Sequence, residues 1–402
     1  MTQRRLLVVS PRFLFPLDQG GRIRTANTLR HMKGGAFHIT LASPAPPDAA
    51  RFASETRAVC DTFVSWPEPL MSRLGKLAAL AGRLPVSAAT DVSTEGRAVV
   101  AKALAARPDI VLIDFPHAAV LAPRILDVPA VVFTHNVEAE ILERHARVAT
   151  GLRHLVWADQ ARKMRRFEGE VLRRFRTAIA VSERDAEALR RDYGLTRVDA
   201  IETGVDTGYY AVHPRPPQDG PDGGTIVFTG SMDSRSNIDG IGFLMDEIWP
   251  HVVARRPAAR ALIVGRNPPG SLVAAAKARG FDWHFTGFVD DVRPSVAQAH
   301  AYAIPLRVGS GTRIKVFEAM AMGCPVVSTT LGAEGLDVTH GRDILIADDA
   351  VGFAAALVSL LEDTAAADRL ALAARDLVNR RFAWPIVTRH FEQICLNALA
   401  EA

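Results

Sequence analysis

The sequence is poor in cysteine. Cys60, Cys324 and Cys395 are odd in number and far apart, so they spell neither a disulfide framework nor a zinc site, and a reducing compartment suits them best. Long apolar runs are missing as well. A membrane-spanning helix needs about 18 or more consecutive apolar residues, and every apolar stretch here is interrupted sooner. Leu6 to Val9, set between Arg4-Arg5 and Ser10-Pro11, falls short of a signal-peptide core and reads as a first β-strand. No internal repeat of solenoid or propeller length is visible. Aromatic residues do not alternate with basic ones as a stacking surface for single strands requires, which argues against a nucleic-acid partner. What remains is a 402-residue chain, 48% hydrophobic and 23% charged, with the composition of an ordinary globular protein and the length for two or three domains.

The net charge of +4 hides an asymmetry. Residues 1 to 200 carry 30 Lys/Arg against 21 Asp/Glu, and residues 201 to 402 carry 18 against 23. Two bodies with different partners are expected, the basic one facing something anionic. Short Val- and Ile-rich runs alternate with stretches of helical period, the pattern of βα units around parallel sheets. Strand candidates are Leu6–Ser10, Phe37–Ser43, Thr62–Trp66, Ile110–Asp114, Ala130–His135 and Ala178–Ser182, enough for one doubly wound sheet. The turn-rich, wholly non-apolar segment Pro214–Gly224 reads as a linker. A second series follows it: Thr225–Thr229, Ala261–Gly265, Trp283–Phe288, Ala301–Leu306, Pro325–Thr329 and Ile344–Ala347. The expected division is therefore 1–213, a linker 214–224, 225–382, and a terminal helix 383–402. Pro385 opens or kinks that helix, which either crosses back to the first domain or caps the second.

In open α/β sheets ligands bind beyond the carboxyl ends of the strands, so the loops after the strands are where chemistry is sought. The first such loop ends in Gly20-Gly21, where backbone amides can approach a phosphate or sugar, although a glycine pair by itself more often makes a turn. The stretch Leu306–Val327 runs strand, glycine loop, helix, turn, strand. Thr312 is a plausible N-cap, yet Arg313 and Lys315 then oppose the positive end of the helix dipole. A bound diphosphate cradled by the amides of Gly311 to Arg313 and by the two cations resolves that conflict; solvated cations on an exposed turn are the plain alternative. Glu318, on the same helix among Phe317, Ala319, Met320, Ala321 and Met322, needs a partner. A salt bridge or two vicinal hydroxyls of a ribose would serve.

At these residues the chain resembles the retaining nucleotide-sugar glycosyltransferases of family 4 (glycosyl transferases group 1). The resemblance rests on Glu318-Ala-Met-Ala-Met-Gly-Cys-Pro-Val-Val, Ala180-Val-Ser-Glu-Arg-Asp, Gly204-Val-Asp206, Phe228-Thr-Gly-Ser-Met with Asn237, and Gly287-Phe-Val-Asp-Asp-Val. It implies the GT-B fold, two Rossmann-like doubly wound parallel-sheet domains facing a cleft, the first binding acceptor and the second nucleotide sugar. It further implies that Glu318 holds the donor ribose, Val289 and its neighbours contact the base, Gly20 and Gly21 approach the donor phosphate, and His135 touches the transferred sugar. The chain departs from the family pattern twice. Ser310 stands where the Glu-x7-Glu motif would begin, and the Arg and Lys usual after the first strand of the second domain are reduced to Arg235, leaving Arg313 and Lys315 to supply charge from the facing loop. Retaining transfer in this family implies attack on the front face by an acceptor activated by the leaving diphosphate, with no enzymic nucleophile, no cofactor and no metal.

The implied activity is glycosyl transfer from a nucleoside diphosphate sugar to a saccharide or lipid-linked acceptor, in surface-polysaccharide or glycolipid assembly on the cytoplasmic side of a membrane. Two alternatives stand beside it: a nucleotide-sugar epimerase of the same fold, and a non-catalytic partner subunit, the latter motivated by Ser310. The run 153–176 holds eight basic residues, Arg153, Arg162, Lys163, Arg165, Arg166, Arg173, Arg174 and Arg176, interleaved with Leu155, Val156, Trp157, Met164, Phe167 and Leu172. A helix of this kind either lies on an anionic membrane or is solvated with its apolar face in the core.

Overall fold

The computed structural model describes residues 3–69, 71–212, 223–308 and 314–401. The chain forms two units, Met1–Glu202 with Trp384–Ala402, and Thr203–Ala383. In the first, seven strands, β1 (Arg4–Val9), β2 (Phe37–Ala45), β3 (Thr62–Pro67), β4 (Ile110–Asp114), β5 (Ala130–Phe133), β6 (Thr177–Ala180) and β7 (Val198–Ala200), pair in parallel in the order β3-β2-β1-β4-β5-β6-β7. In the second, β8 (Gly223–Thr229), β9 (Ala258–Val264), β10 (Trp283–Gly287), β11 (Ala301–Ile304), β12 (Val326–Ser328) and β13 (Leu345–Ile346) follow the order β10-β9-β8-β11-β12-β13, again all parallel. Helical segments lie in most connections between consecutive strands, so the sheet is covered and its central strands are apolar on both faces: Leu6, Leu7, Val8 and Val9 are all buried, as is every residue of β4 and β11.

Both orders reverse direction once, between β1 and β4 in the first unit and between β8 and β11 in the second. At such a switch point the two following connections leave to opposite faces and open a crevice at the strands' carboxyl ends. The twelve strands expected from sequence are present. Edge strand β7 was not expected, because it is three residues long and only Val198 is buried, too little for a pattern to show.

The boundary differs from the expected one. The division falls at Glu202/Thr203, ahead of 213. Residues 213–222 of the expected linker lie outside the described residues, while Gly223 and Gly224 belong to strand β8. The reason is a pairing that a composition scan does not see: the Val205 amide donates to the Phe382 carbonyl at 2.7 Å, and Val205 bridges Ala383 in parallel, so the second unit begins and ends on adjacent segments. After Ala383 the helix Trp384–Ala400 belongs to the first unit. There it buries Trp384, Val387, Phe391, Ile394 and Cys395, sets Phe391 edge-on to Phe133 with centroids 5.0 Å apart, and caps the Ala36 amide with Glu392 at 2.8 Å.

Among the described residues no single helix is long and apolar enough to cross a membrane. Ala350–Glu362 and Thr364–Phe382 reach that composition only together and are bent by 103°, and the first buries Phe353, Leu357, Val358 and Leu361 in the core of its unit.

Candidate functional site

In the second unit the switch point assembles a cation site. Helix Arg235–Phe243 follows β8 and helix Ile314–Ala321 follows β11. Lys315, in the first turn of the latter, donates from Nζ to the Thr229 carbonyl at the end of β8 (3.2 Å) and to Asn237 Oδ1 (3.3 Å), and lies 4.2 Å over the Phe228 ring. Asn237 is oriented in turn by donating Nδ2 to the Ser231 carbonyl at 2.7 Å. Arg235, two residues before Asn237 at the start of the same helix, is exposed and makes no side-chain hydrogen bond or ion pair with any described residue. The adjoining loop after β9 comes close because residue 265 is glycine: a Cβ there would sit 2.0 Å from the Gly230 carbonyl oxygen. On that loop Arg266 pairs with Asp233 at 2.6 Å.

Glu318, one turn beyond Lys315, meets neither expectation in full. Its partner is a hydroxyl from the unit's first segment: Tyr210 donates to Oε1 at 2.9 Å. Burial raises the carboxyl's pKa, while the Tyr210 hydrogen bond and the Lys315 charge pull the other way. After β10, Val289 packs partly buried against the core, whereas its neighbour Phe288 is 70% exposed. The Phe288 ring is therefore the exposed apolar surface at this strand end. Ser310, Gly311, Thr312 and Arg313 lie outside the described residues.

The first unit's switch point is a buried polar network. Asp114 ends β4 wholly buried and accepts from Ser10 Oγ (2.9 Å), Thr25 Oγ1 (2.9 Å) and the His135 Nε2–H (2.8 Å). Arg24 Nη1 donates to His135 Nδ1 at 3.2 Å, so the ring is neutral with its proton on Nε2. Burial lowers the pKa of His135, with the Arg24 charge acting in the same direction, and burial brings Arg24 down to about 10. The imidazole is 2% exposed and lies between Phe115 (centroids 3.9 Å) and Phe133 (4.3 Å). Both of its ring nitrogens are hydrogen-bonded within the first unit. Sequence reading missed Arg24, Asp114 and Phe115; a charged residue closing an otherwise apolar strand, as Asp114 does, was the available signal.

Gly20 and Gly21 open helix Gly20–Met32, with Gln19 at the N-cap and no capping side chain. The two differ. A Cβ on Gly20 would meet nothing within 4 Å, whereas one on Gly21 would lie 2.5 Å from Phe115 Cζ. Gly21→Ala should therefore destabilise the protein by about 1–3 kcal/mol through overpacking, and Gly20→Ala should unfold at nearly the parent temperature. Calorimetry of both variants checks this; equal melting temperatures would remove the steric assignment.

Near the same strand ends lie two buried atoms with no hydrogen bond among the described residues, Asp91 Oδ2 and His117 Nε2, the carboxylate being 3.8 Å from His117 Nδ1. Burial raises Asp91 to about 7, opposed by the Arg12 charge, and lowers His117 to about 4. A carboxyl with a raised folded-state pKa contributes stability fully present below its unfolded value and lost as pH climbs to the folded one. Asp91→Asn should thus become progressively more stable than the parent between about pH 4 and 7, by roughly 4 kcal/mol overall, while the His117 contribution is lost as pH falls from about 6.5 through 4. Denaturant melts across that range give the difference directly.

Residues 19–209 match the family described as Glycosyltransferase Family 4, and residues 223–363 match Glycosyl transferases group 1. The chain belongs to the family-4-like, group 1 glycosyltransferases. A phosphatidyl-myo-inositol mannosyltransferase of Mycolicibacterium smegmatis is 32% identical to this glycosyltransferase-family chain over 203 residues, 49% of the chain and 51% of that protein, so the match spans about half the length of each. A glycogen synthase of Mycobacterium tuberculosis is 26% identical over 318 residues, 73% of this chain and 69% of that one. Among solved structures, the sucrose-phosphate synthase of Thermosynechococcus elongatus superposes with a TM-score of 0.69 at 16% identity over 100% of both chains. Anabaena HepE, solved in complex with UDP and glucose, does so with 0.64 at 17% over 97% and 99%. These likenesses establish the GT-B fold for the family-4-like chain. Among its described residues no group of three or more His, Cys, Asp or Glu side chains is placed to hold a metal ion.

Proposed function

We propose that the protein transfers a glycosyl residue, with retention of configuration, from a nucleoside diphosphate sugar to a saccharide or lipid-linked acceptor. The observation that carries this reading is Lys315, whose ammonium is held at the β8/β11 switch point by Thr229 and Asn237, with Arg235, which has no partner among the described residues, on the same helix as Asn237. Those two cations are suited to the diphosphate, which gains charge as the glycosidic bond breaks; stabilising that charge with preorganised donors is the largest contribution such a site can make. Arg313, Ser310, Gly311 and Thr312 extend the same cradle in this reading. Glu318 then takes the ribose hydroxyls, exchanging or sharing its bond to Tyr210, and Phe288 with Val289 covers the base. The acceptor hydroxyl loses its proton to the departing diphosphate, so no enzymic nucleophile is invoked. The backbone amides of Gly20 and Gly21 are proposed as further ligands of the donor phosphate. His135, fully committed inside the first unit, acts as a positioning residue for Arg24 and Phe115. HepE's complex with UDP supports a uridine nucleotide among the donors to try first.

A lipid-linked acceptor is favoured by the mannosyltransferase relative, and by an amphipathic surface on the first unit. The helix Gly151–Leu172 is split along its length: its second half buries Met164, Phe167 and Leu172, while Leu152 (81%), Leu155 and Val156 in its first half stand exposed beside Arg153. Leu74 and Leu77 of helix Arg73–Ala81 are also exposed, and Lys163 of the longer helix reaches the Leu80 carbonyl of that one. This arrangement supports peripheral contact with the cytoplasmic face of a membrane.

The test is a thermal-shift series with UDP, GDP and ADP followed by an incubation of the matching radiolabelled nucleotide sugar with and without acceptor lipid. One nucleotide should raise the melting temperature, and label should move to the acceptor. Conversion of the donor to another sugar without acceptor would establish the epimerase reading, and no turnover with any donor would establish the non-catalytic one.

A further inference from the structure

The basic surplus of the first unit has a focus away from both switch points. A cavity of about 670 Å³ lies at the amino ends of β5 and β6, the opposite pole of the sheet from the ligand-binding crevice. Its wall is built by the segments that lead into three neighbouring strands: Arg124 and Asp127 before β5, Arg174 and Arg176 before β6, and Arg197 before β7, with Glu401 from the terminal helix's end. A second recess of about 400 Å³ shares Arg176, Arg197 and Glu401 and adds Arg173. Five guanidinium groups thus converge against two carboxylates.

The internal partners leave that charge largely uncompensated. Arg197 pairs with Glu401. Arg174 donates to the carbonyls of Pro123, Arg124 and Ala119, which fixes its position without cancelling its charge, and burial together with the nearby Arg124 charge lowers its pKa. The guanidinium groups of Arg124, Arg173 and Arg176 make no hydrogen bond or ion pair with any described residue. Like charges gathered in a recess repel one another, and a fold gains nothing from the arrangement unless an anion shares it. Guanidinium groups bind phosphate oxygens through paired N–H donors, and a concave low-dielectric wall strengthens that attraction.

We propose that this pocket binds a phosphate-bearing ligand at a site separate from the donor diphosphate site. The same chemistry is offered by a soluble polyphosphate and by the headgroup of an anionic phospholipid, and Ile125, 80% exposed beside Arg124, provides an apolar rim against acyl chains.

The experiment uses the full chain with Lys315 replaced by Ala, so that the donor site does not compete, titrated with inorganic pyrophosphate by calorimetry at low ionic strength. A parallel arm measures co-sedimentation with vesicles of phosphatidylcholine with and without phosphatidylglycerol. The comparison protein carries Arg124→Glu and Arg176→Glu, two exposed positions whose change leaves the structural Arg174 bonds intact; a second comparison carries Leu152→Glu and Leu155→Glu. Saturable pyrophosphate binding weakened at least about tenfold by the arginine pair supports a soluble ligand. Phosphatidylglycerol-dependent sedimentation lost with the arginine pair but kept with the leucine pair supports the lipid headgroup. The proposal is overturned if neither probe binds saturably, or if both bind the arginine variant as they bind the parent. It stands or falls independently of glycosyl transfer, since the Lys315→Ala chain carries the assay.

Discussion

Lys315→Ala is expected to lower kcat about 10²–10³-fold, the usual loss when one preorganised donor to a developing anion is removed. Its ammonium is not recruited at the moment of reaction. Two carbonyl-type acceptors and the Phe228 ring hold it in place in the free protein, so no reorganisation is required when charge develops on the leaving diphosphate. The same contacts bear on stability. Losing a cation–π contact and two hydrogen bonds from a half-buried side chain costs about 1–2 kcal/mol, which leaves a protein that still folds and can be assayed. Lys315→Arg should recover part of the rate, because it keeps the charge but points it in a different geometry. Steady-state kinetics of the two variants, beside their melting temperatures, checks the assignment. If Lys315→Ala turns over within threefold of the parent, the diphosphate does not dock at this helix.

The second large effect is on affinity. Glu318→Ala should weaken nucleoside diphosphate binding about 10–100-fold, since hydrogen bonds to an ionised carboxylate contribute about 1.5–3 kcal/mol and ribose hydroxyls offer two. The Tyr210 hydroxyl is a control built into the site. It donates to the same carboxylate without ligand, so Tyr210→Phe removes the resident partner while leaving Glu318 free for the ribose. Calorimetric titration of UDP, or of whichever nucleotide the thermal-shift series selects, should show a large loss in Glu318→Ala and a much smaller change in Tyr210→Phe. An unaltered dissociation constant in Glu318→Ala would mean that the carboxylate is only a structural partner for Tyr210. Measured together, the two variants in this second set separate binding from the rate effect expected at Lys315.

The sites differ in how far they could be read in advance. Lys315 and Glu318 were legible because each violates a local rule: a cation sits at the positive end of a helix, and a carboxylate sits on an otherwise apolar one. Their partners were not legible. Thr229 and Asn237 follow a different strand from Lys315, and Tyr210 precedes Glu318 by 108 positions, so only the strand order brings them together. His135 shows the reverse case. Its position at a strand end suggested a ligand contact, and what the sequence could not show is that Asp114 and Arg24 hydrogen-bond its two nitrogens while Phe115 and Phe133 pack against the ring. The arginine pocket is further still from sequence reading, because Arg124, Arg176 and Arg197 precede three different strands and meet only where those strands begin side by side.

The alternation of apolar runs and helical stretches was sufficient by itself to determine two parallel α/β sheets, since strands buried on both faces must be apolar throughout and their crossovers must be amphipathic. Which residues face one another was decided by tertiary structure. The reversal of strand order places β8 beside β11 and β1 beside β4, and a side chain's partners across that gap follow from hydrogen bonding between strands far apart in the chain. The domain boundary has the same origin: the second unit begins before the turn-rich linker because Val205 pairs with Phe382 and Ala383, an interaction between segments that no local composition could relate.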